Sequence, residues 1–112
     1  MLPLSEVARD VAEALGLKES RHPRDPGYTS RCYQNDMRIL WGDGSNLTDP
    51  YWFKACCEWL LTHGWDFACK NDGHECWKFD DSPRGVSQVD LNCPWPEAPA
   101  RLVSAVWRRM QG

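Results

Sequence analysis

The stretch DPYWFKACCEWLLTHGWDFACKNDGHECWKF, Asp49 to Phe79, decides the fold. Two periodicities meet inside it. From Trp52 to His63 the apolar residues recur at helical spacing, with Trp52, Phe53, Cys56, Trp59, Leu60 and His63 along one side. Asp49 is a good N-cap, and Pro50 follows where its missing N–H costs nothing. Gly64 suits the left-handed residue that closes a helix, and Trp65 then folds back onto Leu60. After that the period drops to two. Trp65 to Lys70 and His74 to Phe79 read as the arms of a β-hairpin around Asn71-Asp72-Gly73. A three-residue loop sets Phe67 opposite Trp77 and Trp65 opposite Phe79, which keeps one face apolar, whereas a one-residue slip breaks that face. In this register Cys69 faces Glu75, and Cys69 and Cys76 lie on opposite faces.

Upstream, Ser5 is positioned to cap a helix over about 6–15, with Val7, Ala8, Val11, Ala12 and Leu15 as its stripe. Gly16 and Leu17 supply its left-handed end and closing contact. Residues 18–36 are polar and interrupted by Pro23, Pro26 and Gly27, which predicts a loop with a short strand near Tyr28 to Tyr33. Met37 to Trp41 reads as a strand with Met37, Ile39 and Trp41 on one face, ended by Gly42-Asp43-Gly44-Ser45. Downstream, Val86 to Asn92 is a further strand with Val89 and Leu91 on one face. The proline-rich Cys93 to Pro99 reads as an extended connector. A last helix spans about 99–110, its buried stripe being Leu102, Val103, Val106, Trp107 and Met110. Three helices with one apolar stripe each need a common surface. The expected fold class is therefore α+β, a small, mostly antiparallel sheet with three helices in helix/sheet/helix layers.

Composition sets the outer limits. The chain has 112 residues, 42% apolar and 26% charged, and seven are Trp, which predicts one compact domain over 1–112. No apolar run approaches the ~18–20 residues that a membrane span needs. The start MLPLSEVARDVAEALG lacks the basic flank and continuous apolar core of a signal peptide. That predicts a cytoplasmic protein whose six cysteines, 32, 56, 57, 69, 76 and 93, are reduced thiols. Net charge is −3 with a pI near 5.5, which argues against a general nucleic-acid binder. The basic exception, Arg101, Arg108 and Arg109, is read as complementing the dipole of a last helical turn.

Candidate chemistry is sparse. Cys69, His74 and Cys76 surround one turn, and Cys56, Cys57 and His63 sit on the preceding helix. Zinc needs about four converging N/S ligands, and opposite hairpin faces would keep Cys69 from Cys76. Cys56 and His63 share a helix face but stand about 10 Å apart along its axis, too far for a nucleophile–base pair. Asp80-Asp81 is the adjacent acidic pair, while Asp43 and Asp72 are turn residues that bond their own backbone. Phosphate-loop, dinucleotide, nucleophile-elbow and zincin motifs are missing from the sequence. These readings predict a non-enzymatic protein with no cofactor and no metal. What remains is the surplus of tryptophan. Trp52, Trp59, Trp65, Trp77 and Trp107 fall on core stripes, while Trp41 at a strand end and Trp95 between prolines are the expected exposed indoles. Trp is enriched in binding hot spots, so the expected partner surface is Trp41 and Trp95 with the acidic loop residues Asp43, Asp80, Asp81 and Asp90.

The pieces VAEALGL, TDPYWFKACCEWLLTHGWDF, CWKF and APARLVSAVWRRM resemble the phage ABA sandwich domain family of small phage proteins. The resemblance implies layers of helix, sheet and helix, a phage or prophage origin and a bacterial host cytoplasm. It carries no assigned activity and no site residues. The function expected on this basis is a phage accessory protein. It would bind and occlude a host protein or ribonucleoprotein complex, as anti-CRISPR inhibitors of host defence do, with the acidic loops competing for a nucleic-acid channel. A small Cys/His metal-binding or enzymatic module is the second reading, and a homodimeric structural or assembly protein the third.

Overall fold

The computed structural model describes the backbone of residues 2–21, 31–70, 73–79, 86–91 and 93–111. It describes the side chains of 2–20, 31–66 and 93–111 apart from Trp95. The elements run α1 (Leu4–Leu15), β1 (Lys18–Arg21), β2 (Arg31–Gln34), β3 (Ile39–Trp41), α2 (Pro50–Thr62), β4 (Asp66–Lys70), β5 (Gly73–Phe79), β6 (Val86–Leu91), a 3-10 turn (Trp95–Glu97) and α3 (Ala98–Gln111). The class is α+β. The strands form two antiparallel sheets, β1-β2-β3 and β4-β5-β6, where the pattern predicted one.

Both predicted left-handed helix ends form. Gly16 has φ 71°, and the Leu17 N–H reaches Ala12 O at 2.9 Å while the Gly16 N–H reaches Glu13 O. Gly64 has φ 81°, and the Trp65 N–H reaches Leu60 O at 2.9 Å. At both sites the glycine takes a backbone region that other residues enter at a cost, and the next apolar residue turns back onto the helix. The starts differ from expectation. Pro3, not Ser5, holds the N-cap position of α1, and its carbonyl accepts from Glu6 and Val7. Asp49 does precede α2, but no side-chain capping bond forms there.

Among the described residues the core is one cluster. Val7, Ala8, Val11 and Ala12 of α1 meet Trp52, Cys56, Trp59 and Leu60 of α2 and Leu102, Val103 and Val106 of α3, with Tyr33, Leu40 and Trp65 closing it. Large indoles are accommodated because their N–H groups find acceptors, as buried polar groups must. Trp52 Nε1 donates to Ile39 O (3.1 Å), Trp59 Nε1 to Ala14 O (3.1 Å) and Trp107 Nε1 to Glu13 Oε2 (3.1 Å). Each bond joins two elements. Helices α1 and α3 are also tied by buried Asp10, whose Oδ2 accepts from Ser104 Oγ (2.5 Å) and Arg108 Nε (2.6 Å).

Several expectations are corrected. A strand forms at Lys18–Arg21, inside the predicted loop, and pairs with β2 from Lys18 opposite Gln34 to Arg21 opposite Arg31. The stretch Tyr28 to Ser30 of the expected short strand lies outside the described residues, and β2 itself begins at Arg31. β3 is only Ile39–Trp41, and its inward residue is Leu40, fully buried, while Met37 is 77% exposed. Met110 is exposed, not part of the α3 stripe. The connector to α3 contains a 3-10 turn and is not extended throughout. Arg101 lies in the first half of α3, and it is buried. In the hairpin, Phe67 pairs with Cys76 and Cys69 with His74, one residue away from the predicted register.

Candidate functional site

The turn between β2 and β3 is built by one side chain. Asn35 Oδ1 accepts the N–H of Met37 and of Arg38, both at 2.8 Å, and the Asn35 N–H reaches Arg38 O. Asn short-circuits its own backbone in this way because its carbonyl sits at turn-forming distance. The other end of the same amide, Nδ2, donates to Tyr51 Oη on α2 at 2.8 Å. Arg38 lies over the Tyr51 ring, its guanidinium carbon 5.6 Å from the centroid. Tyr51 in turn meets Trp52 edge to face at 4.9 Å. Ile39 O accepts from both Trp52 Nε1 and Asn46 Nδ2. The turn is thus fastened to α2 and to the core.

A cleft of about 670 Å³ lies along this junction, with Asn35, Asp36, Met37, Arg38, Asp49 and Tyr51 among its lining residues. Met37 stands at its margin, mostly in solvent, on a turn whose backbone is held by hydrogen bonds. A long apolar side chain displayed on a braced turn has little ordering entropy left to lose from its backbone when something packs on it. Met, Arg and Tyr are also the residue types enriched where proteins meet. Sequence reasoning missed this group because it placed Met37 inside a strand. Asn35-Asp36, a turn signal directly before it, was the available clue.

The predicted site residues fall elsewhere. Trp41 is half-buried at the end of β3, and its backbone N–H donates to Asn46 Oδ1. Asp43 is exposed. The Ser45 N–H donates to its Oδ1 and holds the carboxyl below the usual carboxylate range, as expected of a turn-building Asp. Asp90 sits in β6 opposite Glu75. Trp95 opens the 3-10 turn. Asp80 and Asp81 lie outside the described residues. Neither Trp41 nor Asp43 lines the cleft.

The thiols on α2 do not form a nucleophilic pair. Burial, with a smaller contribution from Cys57, pushes the Cys56 thiol up to about 12, so it stays protonated at neutral pH. His63 stacks on Trp59 at 4.0 Å, and its Nδ1 lies 2.8 Å from Trp59 O. Among the described residues, no three His, Cys, Asp or Glu side chains are grouped to hold a metal. The hairpin register does alter one expectation. Cys69 is opposite His74, and Cys76 is opposite Phe67. Direct partners share a face and alternate residues return to it, so positions 69, 74 and 76 belong to one side of the ladder, not two.

Among the described residues, no helix is long and apolar enough to cross a membrane. No protein-family model matches the chain, and no curated protein or solved structure matches it.

Proposed function

We propose that this protein works by stoichiometric binding to another protein, with Met37, Arg38 and Tyr51 as its contact surface. The observation that carries this reading is Met37, a large apolar side chain 77% exposed on a turn braced through Asn35. The setting follows the resemblance to phage ABA sandwich proteins: a phage accessory protein that occludes a host protein or ribonucleoprotein complex, anti-CRISPR-like in action. Affinity capture from bacterial host lysate tests it. A stoichiometric partner is expected for the native protein, and Met37→Asp is expected to weaken its binding by at least about 30-fold, the scale of a hot-spot loss. Equal capture by the two proteins would remove Met37 from the contact surface.

A Cys/His metal-binding module is a second reading, favoured by the register that sets Cys69 opposite His74 with Cys76 on the same side. It predicts zinc in the purified protein at about one ion per chain, lost with His74→Ala. Zinc well below that level in the native protein would exclude it.

A further inference from the structure

Helix α2 carries apolar residues on two sides. Its inner side, Trp52, Cys56, Trp59 and Leu60, belongs to the core. A second row runs outside it at i, i+4 and i+8: Phe53 and Cys57, each half-buried, and Leu61, 57% exposed. Side chains four apart stand one above the other on a helix, so these three make a continuous ridge. Lys54 and Glu58 border the ridge on the solvent side. They are 78% and 65% exposed, with Nζ and Oε1 3.8 Å apart.

The ridge is symmetric about Cys57, with an apolar residue four positions before it and another four after. A two-fold axis at Cys57 therefore sets Phe53 of one chain against Leu61 of an antiparallel second copy, twice. The same operation brings the charged borders together, because antiparallel helices present like flanks to each other. Lys54 then lies about 3 Å along the axis from Glu58 of the other copy, at 1.5 Å per residue. Glu58 meets Lys54 in the same way. Such self-complementarity is what a closed two-fold interface requires. Parallel or shifted arrangements lose it. We infer that α2 is a homodimerisation surface, packing antiparallel on a second copy of this chain through Phe53, Cys57 and Leu61. This surface is separate from the Met37 turn and stands whether or not that turn binds a partner.

Sedimentation equilibrium of the full chain from about 1 to about 500 μM tests it, a range that covers weak dimers. Reversible dimerisation is expected. Leu61→Glu should weaken it at least tenfold. Lys54→Glu should weaken it several-fold by placing like charges opposite each other, and the double exchange Lys54→Glu/Glu58→Lys should restore it. The three positions changed here, Lys54, Glu58 and Leu61, are solvent-facing, and circular dichroism of each variant confirms that it folds. A monomer throughout the range overturns the proposal, as does a dimer indifferent to Leu61→Glu. Failure of the double exchange to restore dimerisation overturns the antiparallel arrangement.

Discussion

Trp52→Ala is expected to lower stability by about 3–5 kcal/mol, the range for removing a large aromatic side chain from a core. Domains of this kind have only about 5–15 kcal/mol in total, so the variant should be partly unfolded near physiological temperature. Two losses combine. Trp52 is 1% exposed and is the largest of the fully buried side chains among the described residues, so its removal leaves a cavity between α2 and the first sheet. It also removes the indole N–H that Ile39 O accepts, although that oxygen keeps Asn46 Nδ2 as a donor. Trp52→Phe should cost less, because most of the volume survives and the carbonyl remains paired. Urea denaturation of the three proteins measures this order. A loss below about 1 kcal/mol for the alanine variant would mean that the site collapses without cost, which a close-packed core does not do.

Glu97→Ala is the second large effect, expected at about 3 kcal/mol, the lower end for breaking a buried ion pair. Arg101 is 8% exposed and draws its neutralisation from one carboxylate oxygen. Glu97 Oε1 accepts from Nε at 3.0 Å and from Nη2 at 2.8 Å, while Nη1 donates to Leu2 O at 2.6 Å. Without Glu97 a desolvated guanidinium keeps only the Leu2 carbonyl among these partners. Replacing both ends with apolar residues, Glu97→Leu with Arg101→Met, should be milder than Glu97→Ala alone, because no charge is left stranded. A double-mutant cycle by urea denaturation reads the coupling. A double variant as unstable as the sum of the single ones would show that the pair contributes through packing and not through charge.

The helices were legible because their signals are local. The Gly16-Leu17 and Gly64-Trp65 endings need only two residues and a preceding stripe, and both formed as read. The strands were less legible. Lys18–Arg21 carries no apolar alternation, so nothing in its side chains announces an edge strand that is defined by pairing with β2. At β3 the alternation pointed the wrong way. Met37 and Ile39 look like inward residues, but Asn35 closes a turn that holds Met37 outside the strand, and Leu40 turns inward instead. The hairpin register slipped by one because apolar matching and loop length favoured different pairings, and a slip of one exchanges faces. The Asp10–Ser104–Arg108 and Leu2–Arg101 links join residues more than ninety positions apart, and no local pattern encodes them. The candidate contact surface was missed for the reason that displaced Met37.

The solvent-facing placement of Met37 underlies the proposed surface, and the stability of Met37→Asp in urea tests that placement most directly. On a braced turn in solvent, the change should alter unfolding free energy by no more than about 0.5 kcal/mol, as surface substitutions do. A loss of several kcal/mol, the mark of a charge placed in a core, would return Met37 to the interior and contradict the proposed surface.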